Sequence, residues 1–465
     1  MTNTAKKEWT LKPGEEFRFE VGFKSTIELK LLSGNAELFG AELGSEATYT
    51  FSGFNGAVFS WQGCTLSVSG DNHTAYVAGE TPMDSYINVH MALQQLRVQA
   101  HNGDMSAAPR VMIVGPEDSG KTSLARLLLN YAVRMDQTPL FVDLDTACSS
   151  MTVPGTVSVT PITKTIDIED GFMGYVTSAA VSRPVDLPLV WQYGHELPSD
   201  NPVLFNILVD KLADAIEKRV AADKTTAGSG LIVDTHGSTD ISKLETIEHA
   251  IKALGINTLL VVGNERMYNL LSSRLEAMSQ GLPQQETNAI KLAKSGGTVD
   301  RDTVFRQQQT SRTIKQYFYG TAREPLTSFP TVVNFKEISV LRVGEDVRAP
   351  SSTLPLGETR KLTDTSVFEV DLDESLSHSV LAVTDIARPT DAGTGSGAAD
   401  AEGDAGIKTF TSKDWEEAVG AQAIGFVNVT KIDMEKMRFT MTSPVPGRLP
   451  KQVLLDGHVK WMEVV

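Results

Sequence analysis

The chain has 465 residues and only two cysteines, Cys64 and Cys148. That scarcity argues against a disulfide framework or a cysteine-built zinc site, and it suits a reducing compartment. Long apolar runs are missing too. No stretch of about eighteen apolar residues exists, so no membrane span is expected. The opening residues Met1 to Trp9 hold no apolar h-region, and no secretory leader is expected. Positive charge is in deficit, with a formal net charge of −16. A chain this acidic repels phosphate backbones, which argues against strong non-specific nucleic-acid binding and leaves only a local basic groove open. Nucleotides and other proteins are the ligands that this balance suits.

The composition is that of a soluble globular protein, 41% hydrophobic and 22% charged, and the length suits roughly two to four domains. Gly115-Pro116-Glu117-Asp118-Ser119-Gly120-Lys121-Thr122 fits the P-loop pattern G-x-x-x-x-G-K-[ST]. Arg110 to Val114 before it reads as a short buried strand. Ser123 to Met135 after it carries Leu124, Leu127, Leu128 and Tyr131 at helical spacing. A glycine-rich turn lets backbone N–H groups approach phosphate oxygens, and the helix start adds free donors and a positive dipole end. Lys121 can then reach the β/γ-phosphates and the Thr122 hydroxyl can bind Mg²⁺. The bland alternative is a β–turn–α connection that binds nothing. The strand before and the helix after the loop weigh against it. A P-loop implies a nucleotide site, not turnover.

Residues 1–100 read as a β domain. Phe17 to Val21, Ile27 to Leu31, Thr48 to Phe51, Ala57 to Trp61 and Thr65 to Ser69 are strand-like. Turns are expected at Ser33 to Asn35, Gly53 to Gly56 and Gly70 to Asn72, and Met83 to Ala100 reads as a helix. Residues 101–330 alternate strand and helix. Strand-like runs at 139–145, 231–234 and 258–263 end in or near acidic or glycine residues. Helical patterns fill 204–221, 241–254 and 265–278. Such alternation implies a mostly parallel sheet with helices on both faces and ligands at the strands' carboxyl ends. Residues 331–465 read as a smaller mixed or mostly β domain. Pro350 to Glu358 is read as a loop and 387–406 as a disordered insertion. The fold expected is a multidomain α/β protein, with a central P-loop NTPase-type parallel sheet between the two flanking domains.

Asp145 ends the strand after the P-loop helix, where a carboxylate could hold Mg²⁺ through water or accept a proton. It could equally cap a turn. Asp143 alternates with it and is assigned to the other face. Asp234 ends a hydrophobic strand in the manner of a Walker B acid, or caps a turn. His236 reads as a solvated loop residue, Cys148 as a small buried hydrophobe, and Trp61, Trp191, Trp415 and Trp461 as core. Arg306, Arg312 and Lys315 could fold over a triphosphate as a basic lid. Spacing alone slightly favours a solvated helix face for them.

Several ordered stretches resemble the family of the pre-mRNA cleavage-complex protein found in cleavage factor IA of fungi and cleavage factor II of mammals. Its relatives include RNA 5′-hydroxyl polynucleotide kinases. The markers include Gly34 to Leu43, Val58 to Cys64, Pro109 to Pro116, Leu128 to Ala132, Val153 to Gly155, Lys294 to Gly297 and Tyr317 to Gly320. The resemblance covers nearly the whole chain. It implies a β domain that helps hold adenine, with Glu16 and, in a loop one residue shorter, Asn55 at the matching positions. It places Asp118, Ser119, Gly120, Lys121, Thr122 and Ser123 in the phosphate-binding loop, with ATP and Mg as cofactors. It also implies nuclear residence and a partner: the cleavage factor IA subunit that binds the RNA polymerase II C-terminal tail. Other 3′-end processing factors are implied as well, and RNA only weakly.

The departures from kinase-active members are specific. Asp145-Thr146-Ala147-Cys148 replaces an Asp-x-Gly-Gln type segment. Ser238 stands where active animal members clasp the substrate base with Trp, and Thr310 where a lid arginine is expected. Base stacking contributes about 1–3 kcal/mol per base, and arginines at the transition state matter by orders of magnitude. The favoured reading is an ATP-binding scaffold subunit of the pre-mRNA 3′-end cleavage and polyadenylation machinery without kinase activity. The alternative is an active polynucleotide 5′-hydroxyl kinase with Asp145 catalytic and Arg306 and Arg312 over the γ-phosphate. A GTPase is disfavoured, because no Asn-Lys-x-Asp motif is visible.

Overall fold

Alternation along single strands explains how the central sheet buries both of its faces. In Arg110–Val114, Val111 and Ile113 enter one apolar cluster while Met112 and Val114 enter another. Leu231–Thr235 and Thr258–Val262 divide the same way, with Ile232 and Leu260 on one side and Val233 and Val261 on the other. Successive side chains point to opposite faces, so a strand covered on both sides reads as one continuous apolar run.

The computed structural model describes residues 6–71, 74–172, 187–238, 244–279, 287–344, 366–386, 418–449 and 452–463. Asn72, Ile241, the 350–358 loop, the 387–406 insertion and Trp415 lie outside the described residues. Five neighbouring strands are parallel, in the order Asn288–Leu292, Thr258–Val262, Arg110–Val114, Leu231–Thr235, Leu140–Leu144. The P-loop strand therefore lies between two strands that come much later in the chain. That arrangement opens a crevice at the carboxyl ends. Beyond Leu140–Leu144, Thr156–Pro161 and Leu189–Gln192 continue antiparallel. Leu189–Gln192 then pairs over two residues with Gln422–Asp433 and so joins the largely antiparallel C-terminal strands to the same sheet.

The strands between Lys7 and Ala78 build two antiparallel sheets, one of four strands and one of five, around Phe17, Phe19, Leu29, Phe51 and Val58. The helix Met83–His101 packs not on that core but with the P-loop helix Lys121–Arg134, through Met83, Tyr86, Val89 and Leu93. Polar contacts tie the sandwich to the P-loop helix. Asn130 Nδ2 donates to the Phe39 carbonyl (2.8 Å), Arg134 pairs with Glu37 (2.9 Å), and the Tyr131 hydroxyl donates to Glu37.

Local readings change: Ser33, Gly34 and Gly70, expected in turns, end the strands Ile27–Gly34 and Cys64–Gly70. Phe54, Asn55 and Gly56, expected in a turn, begin the strand Phe54–Phe59, whose partner Glu16–Val21 pairs with it along its length. Trp61, expected in the core, is 41% exposed, with its edge against Phe59. It falls in the bend just past the end of that strand, an odd number of positions from Val58 and so not on the face that Val58 buries.

Candidate nucleotide site

Close backbone approach shapes the phosphate loop. A side chain at Gly115 would put its Cβ 2.6 Å from the Val262 carbonyl oxygen, so the neighbouring strand requires glycine there. Gly120 caps the P-loop helix at φ 88°, the left-handed region that glycine enters without strain. The helix start thereby turns its free N–H groups toward the crevice. Lys121 is buried, and its Nζ donates to the Pro116 carbonyl (2.8 Å).

A cavity of about 200 Å³ lies over this loop. Its far end is apolar, formed by Phe39, Phe59, Met83, Tyr86 and Leu127 beside Glu16 and Asn55. Glu16 is buried, and its carboxylate accepts from Arg18 Nε and from Thr81 Oγ1 (2.9 Å). Asn55 Oδ1 is buried with no hydrogen-bond partner, so it can receive a donor from a ligand. The near end is polar, lined by Asp118 to Ser123, Asp145, His236 and Arg306. An apolar slot with a few convergent polar groups at one end and a phosphate loop at the other suits a nucleoside triphosphate.

The two strand-end carboxylates take different roles. Asp234 Oδ2 accepts from Thr122 Oγ1 (2.5 Å), while Oδ1 is buried without a partner. Burial pushes the Asp234 carboxyl up to about 7 against the pull of Lys121, and Asp145 adds to the rise. A buried carboxylate beside a P-loop hydroxyl, with one oxygen unpaired, fits a divalent cation. Among the described residues no three His, Cys, Asp or Glu side chains converge to hold a metal unaided. Phosphate oxygens and water would have to complete the shell, as is usual for Mg²⁺.

Asp145 instead faces His236, with Nδ1 and Oδ1 at 3.1 Å. Burial raises the Asp145 carboxyl, but the His236 hydrogen bond and the charges of His236 and Lys121 outweigh that and hold it below its usual range. It is therefore a carboxylate, and Nδ1–H of His236 donates to it. Its Oδ1 also accepts from the Ala147 and Cys148 amides. His236 was read as a solvated loop residue, yet its side chain is only 14% exposed. Asp143 is fully buried away from the cavity and braces the following loop by accepting from the Asp145 amide (3.0 Å) and the Ser150 amide (2.6 Å). Burial and the charges of Asp234 and Asp145 hold its carboxyl well above the usual range. Cys148 is half-buried rather than core, and burial pushes its thiol up to about 12, far from a nucleophilic thiolate.

The lid helix Thr303–Tyr319 starts from an Asp302 cap on the Phe305 amide. Its basic residues are not one solvated face. Arg306 lines the nucleotide cavity and pairs with Asp118 (2.6 Å) and Glu117 (3.1 Å). Arg312 lies farther along: it donates to the Ser52 carbonyl and lines an adjoining cavity of about 230 Å³ with Thr310 and Arg126, which shares Asn55, Thr122, Ser123 and Arg301 with the first. Lys315 is exposed. The geometry thus gathers Glu16, Asn55, Asp118 to Ser123, Asp145 and Arg306 around one cavity and leaves Arg312 outside it. Ser238 lies outside as well, at a small apolar pocket, its amide donating to the Gly115 carbonyl (3.2 Å). Sequence reading did not find the apolar end or the Asp145–His236 bond. The pairing of β-strand ends that brings His236 to Asp145 is not written in either residue's spacing.

Comparison with known proteins agrees along the full length. Family models described as the N-terminal beta-sandwich domain of polyadenylation factor, the mRNA cleavage and polyadenylation factor CLP1 P-loop, and the pre-mRNA cleavage complex II protein Clp1 match residues 10–100, 115–320 and 326–463. The mRNA cleavage and polyadenylation factor clp1 of Botryotinia fuckeliana is 36% identical, over 97% of this chain and 92% of its own. The Protein CLP1 homolog of Arabidopsis thaliana is 33% identical, over 99% and 95%. A solved structure of the wild-type Clp1p–Pcf11p complex superposes with a TM-score of 0.81 at 24% identity, covering 99% of each chain. A second, concerned with the extended Pcf11p–Clp1p interface and with ATP loss in a glycine-to-arginine point mutant, gives 0.81 at 23%, covering 99% and 100%. At these identities the superpositions speak for the fold.

Proposed function

The chain belongs to the Clp1 family of pre-mRNA cleavage and polyadenylation factors, and we propose that within 3′-end processing it acts as a scaffold that holds ATP rather than transferring its γ-phosphate. The observation that carries this reading is an asymmetry: the phosphate cradle is complete, while the lid helix brings only Arg306 to the nucleotide cavity, beside Arg301 from the segment before it, and Arg312 lines the adjoining cavity instead. Lys121 and the backbone of Gly120 to Ser123 would bind the phosphates, and Glu16 and Asn55 would lie at the base end. Thr122 and Asp234 would hold Mg²⁺, which when bound offsets phosphate charge. Phosphoryl transfer is mostly positioning and charge stabilisation. Arg312 is tied to the Ser52 carbonyl, and Thr310 offers no charge, so the lid would supply less of either than a full set of arginines. Asp145, held in its ionised form by His236, is a weak proton acceptor and suits orientation of Lys121 and the loop.

A bound ligand stabilises the folded state by mass action, so ATP between sandwich and sheet would fix their arrangement. That arrangement would present a surface to a second 3′-end processing factor, the kind of partner present in the related Clp1p–Pcf11p complexes. The proposed partner is the subunit that reads the RNA polymerase II tail, and the proposed site of action is the nucleus.

The second reading, a 5′-hydroxyl kinase, rests on the retained Lys121, Thr122 and Asp145. A transfer assay with γ-labelled ATP, Mg²⁺ and a 5′-hydroxyl RNA oligonucleotide separates the two. The scaffold predicts no label on RNA. Label that disappears in Lys121→Ala would establish the kinase instead.

A further inference from the structure

The P-loop carries two consecutive carboxylates, Glu117 and Asp118, where a phosphate cradle gains nothing from negative charge. Both point at the lid. Asp118 Oδ2 accepts from Arg306 Nη2 (2.6 Å) and from the Arg301 amide (2.9 Å), and Glu117 adds a contact to Arg306 at 3.1 Å. Asp118 adopts φ 52°, a conformation that Asp tolerates better than most residues and that turns its side chain out of the loop. Two further contacts hold the same helix to the sandwich. Phe305 packs on Phe23 with ring centroids 5.0 Å apart, and Arg312 donates to the Ser52 carbonyl. The segment leading into the helix closes the cavity from above: Ser295, Gly297, Thr298 and Val299 all line it.

From these contacts we propose that Glu117 and Asp118 form a latch that holds the lid helix shut through Arg306 and so sets how long a nucleoside triphosphate stays bound. This rests on the nucleotide reading above and assigns the loop a second task. The loop cradles phosphate with its backbone and holds its own cover with its side chains. It also gives Arg306 a role other than the γ-phosphate. Asp118 is the stronger half. Its side chain is 10% exposed against 52% for Glu117, and a partly buried charge pair is screened less than an exposed one.

The test is stopped-flow release of preloaded N-methylanthraniloyl-ATP by excess ATP with Mg²⁺, on the full chain. Asp118→Asn keeps a residue suited to the left-handed conformation and removes the charge. It and Arg306→Gln should each speed release by roughly tenfold or more, with association changed much less. The double variant should be no faster than the faster single one, because both remove the same bond. Glu117→Gln should change release by only about two- to threefold. Unchanged release in Asp118→Asn and Arg306→Gln, or additive effects in the double variant, would overturn the latch. So would slower release in Asp118→Asn, which would mean that Arg306, once freed, grips the phosphates. Folded wild-type protein, stripped of any co-purified nucleotide, that fails to take up the probe would overturn the nucleotide reading together with the latch. Uptake by the wild type with unchanged release in the variants would overturn the latch alone.

Discussion

The floor and the roof of the nucleotide cavity are built by different physics. The floor is sheet and helix. Its backbone is fixed by neighbouring strands, Gly115 lies against the Val262 carbonyl, and Lys121, Ser119 and Asp234 are buried. The roof is a helix held by a few side chains, its Arg306 32% exposed and its charges meeting carboxylates of the floor. A buried framework tolerates little change, whereas charge pairs at a rim alter rates with modest effect on the fold. That difference is what the proposed scaffold would need: a rigid floor to hold nucleotide and a roof whose few side chains govern its stay.

The sharpest way to break the floor is Lys121→Ala. Removing a buried cation from the phosphate site should weaken nucleotide binding by roughly 100-fold while leaving the apo fold intact, measured by titration calorimetry and circular dichroism. Asp234→Asn should come next. It removes the carboxylate opposite Thr122 and should lower the Mg²⁺ enhancement of nucleotide affinity by roughly 10-fold, with Mg²⁺-free affinity nearly unchanged. Equal loss with and without Mg²⁺ would assign Asp234 a packing role.

The joint between sandwich and floor carries its own pH dependence. His90 is 4% exposed, and burial, with the charges of Arg97 and Arg134, pushes its imidazole down to about 4. A base whose folded pKa is depressed binds a proton more readily when unfolded. Its contribution is therefore present in full above about 6.5 and is lost as pH falls toward 4. The loss is roughly 3 kcal/mol at most for a shift of this size. Thermal melts of the wild type should fall through that window, and His90→Phe should flatten the fall. The smallest effect belongs to the outer face of the roof. Lys315→Ala, exposed and outside the cavity, should move neither stability by more than about 0.5 kcal/mol nor nucleotide release.

What the sequence made legible follows the same division. The P-loop with its strand and helix could be placed because local chemistry dictates it: glycines for close approach, Lys and Thr for phosphate and cation. The doubly buried strands at 231–235 and 258–262 stood out as apolar runs. Asn288–Leu292 did not, since an edge strand with Asn and Lys lacks that signal. The divided roles of Asp145 and Asp234 come from strand order, which sets which carboxylate faces Thr122 and which faces His236. Spacing along one strand cannot reveal a neighbour contributed by another. The lid arginines looked solvated because a helix face reads the same whether water or a second domain covers it. Only the fold brings Asp118 to Arg306 and Ser52 to Arg312.

The most direct measurement is the fate of ATP already on the protein. Protein loaded with γ-labelled ATP and Mg²⁺ would be chased with unlabelled ATP in the presence of 5′-hydroxyl RNA, and the released label separated by chemical form. Label leaving as intact ATP is the result expected of a held, structural nucleotide. Label leaving on the RNA 5′ end, or as free phosphate at the rate of release, would contradict it and make the cavity a working active site.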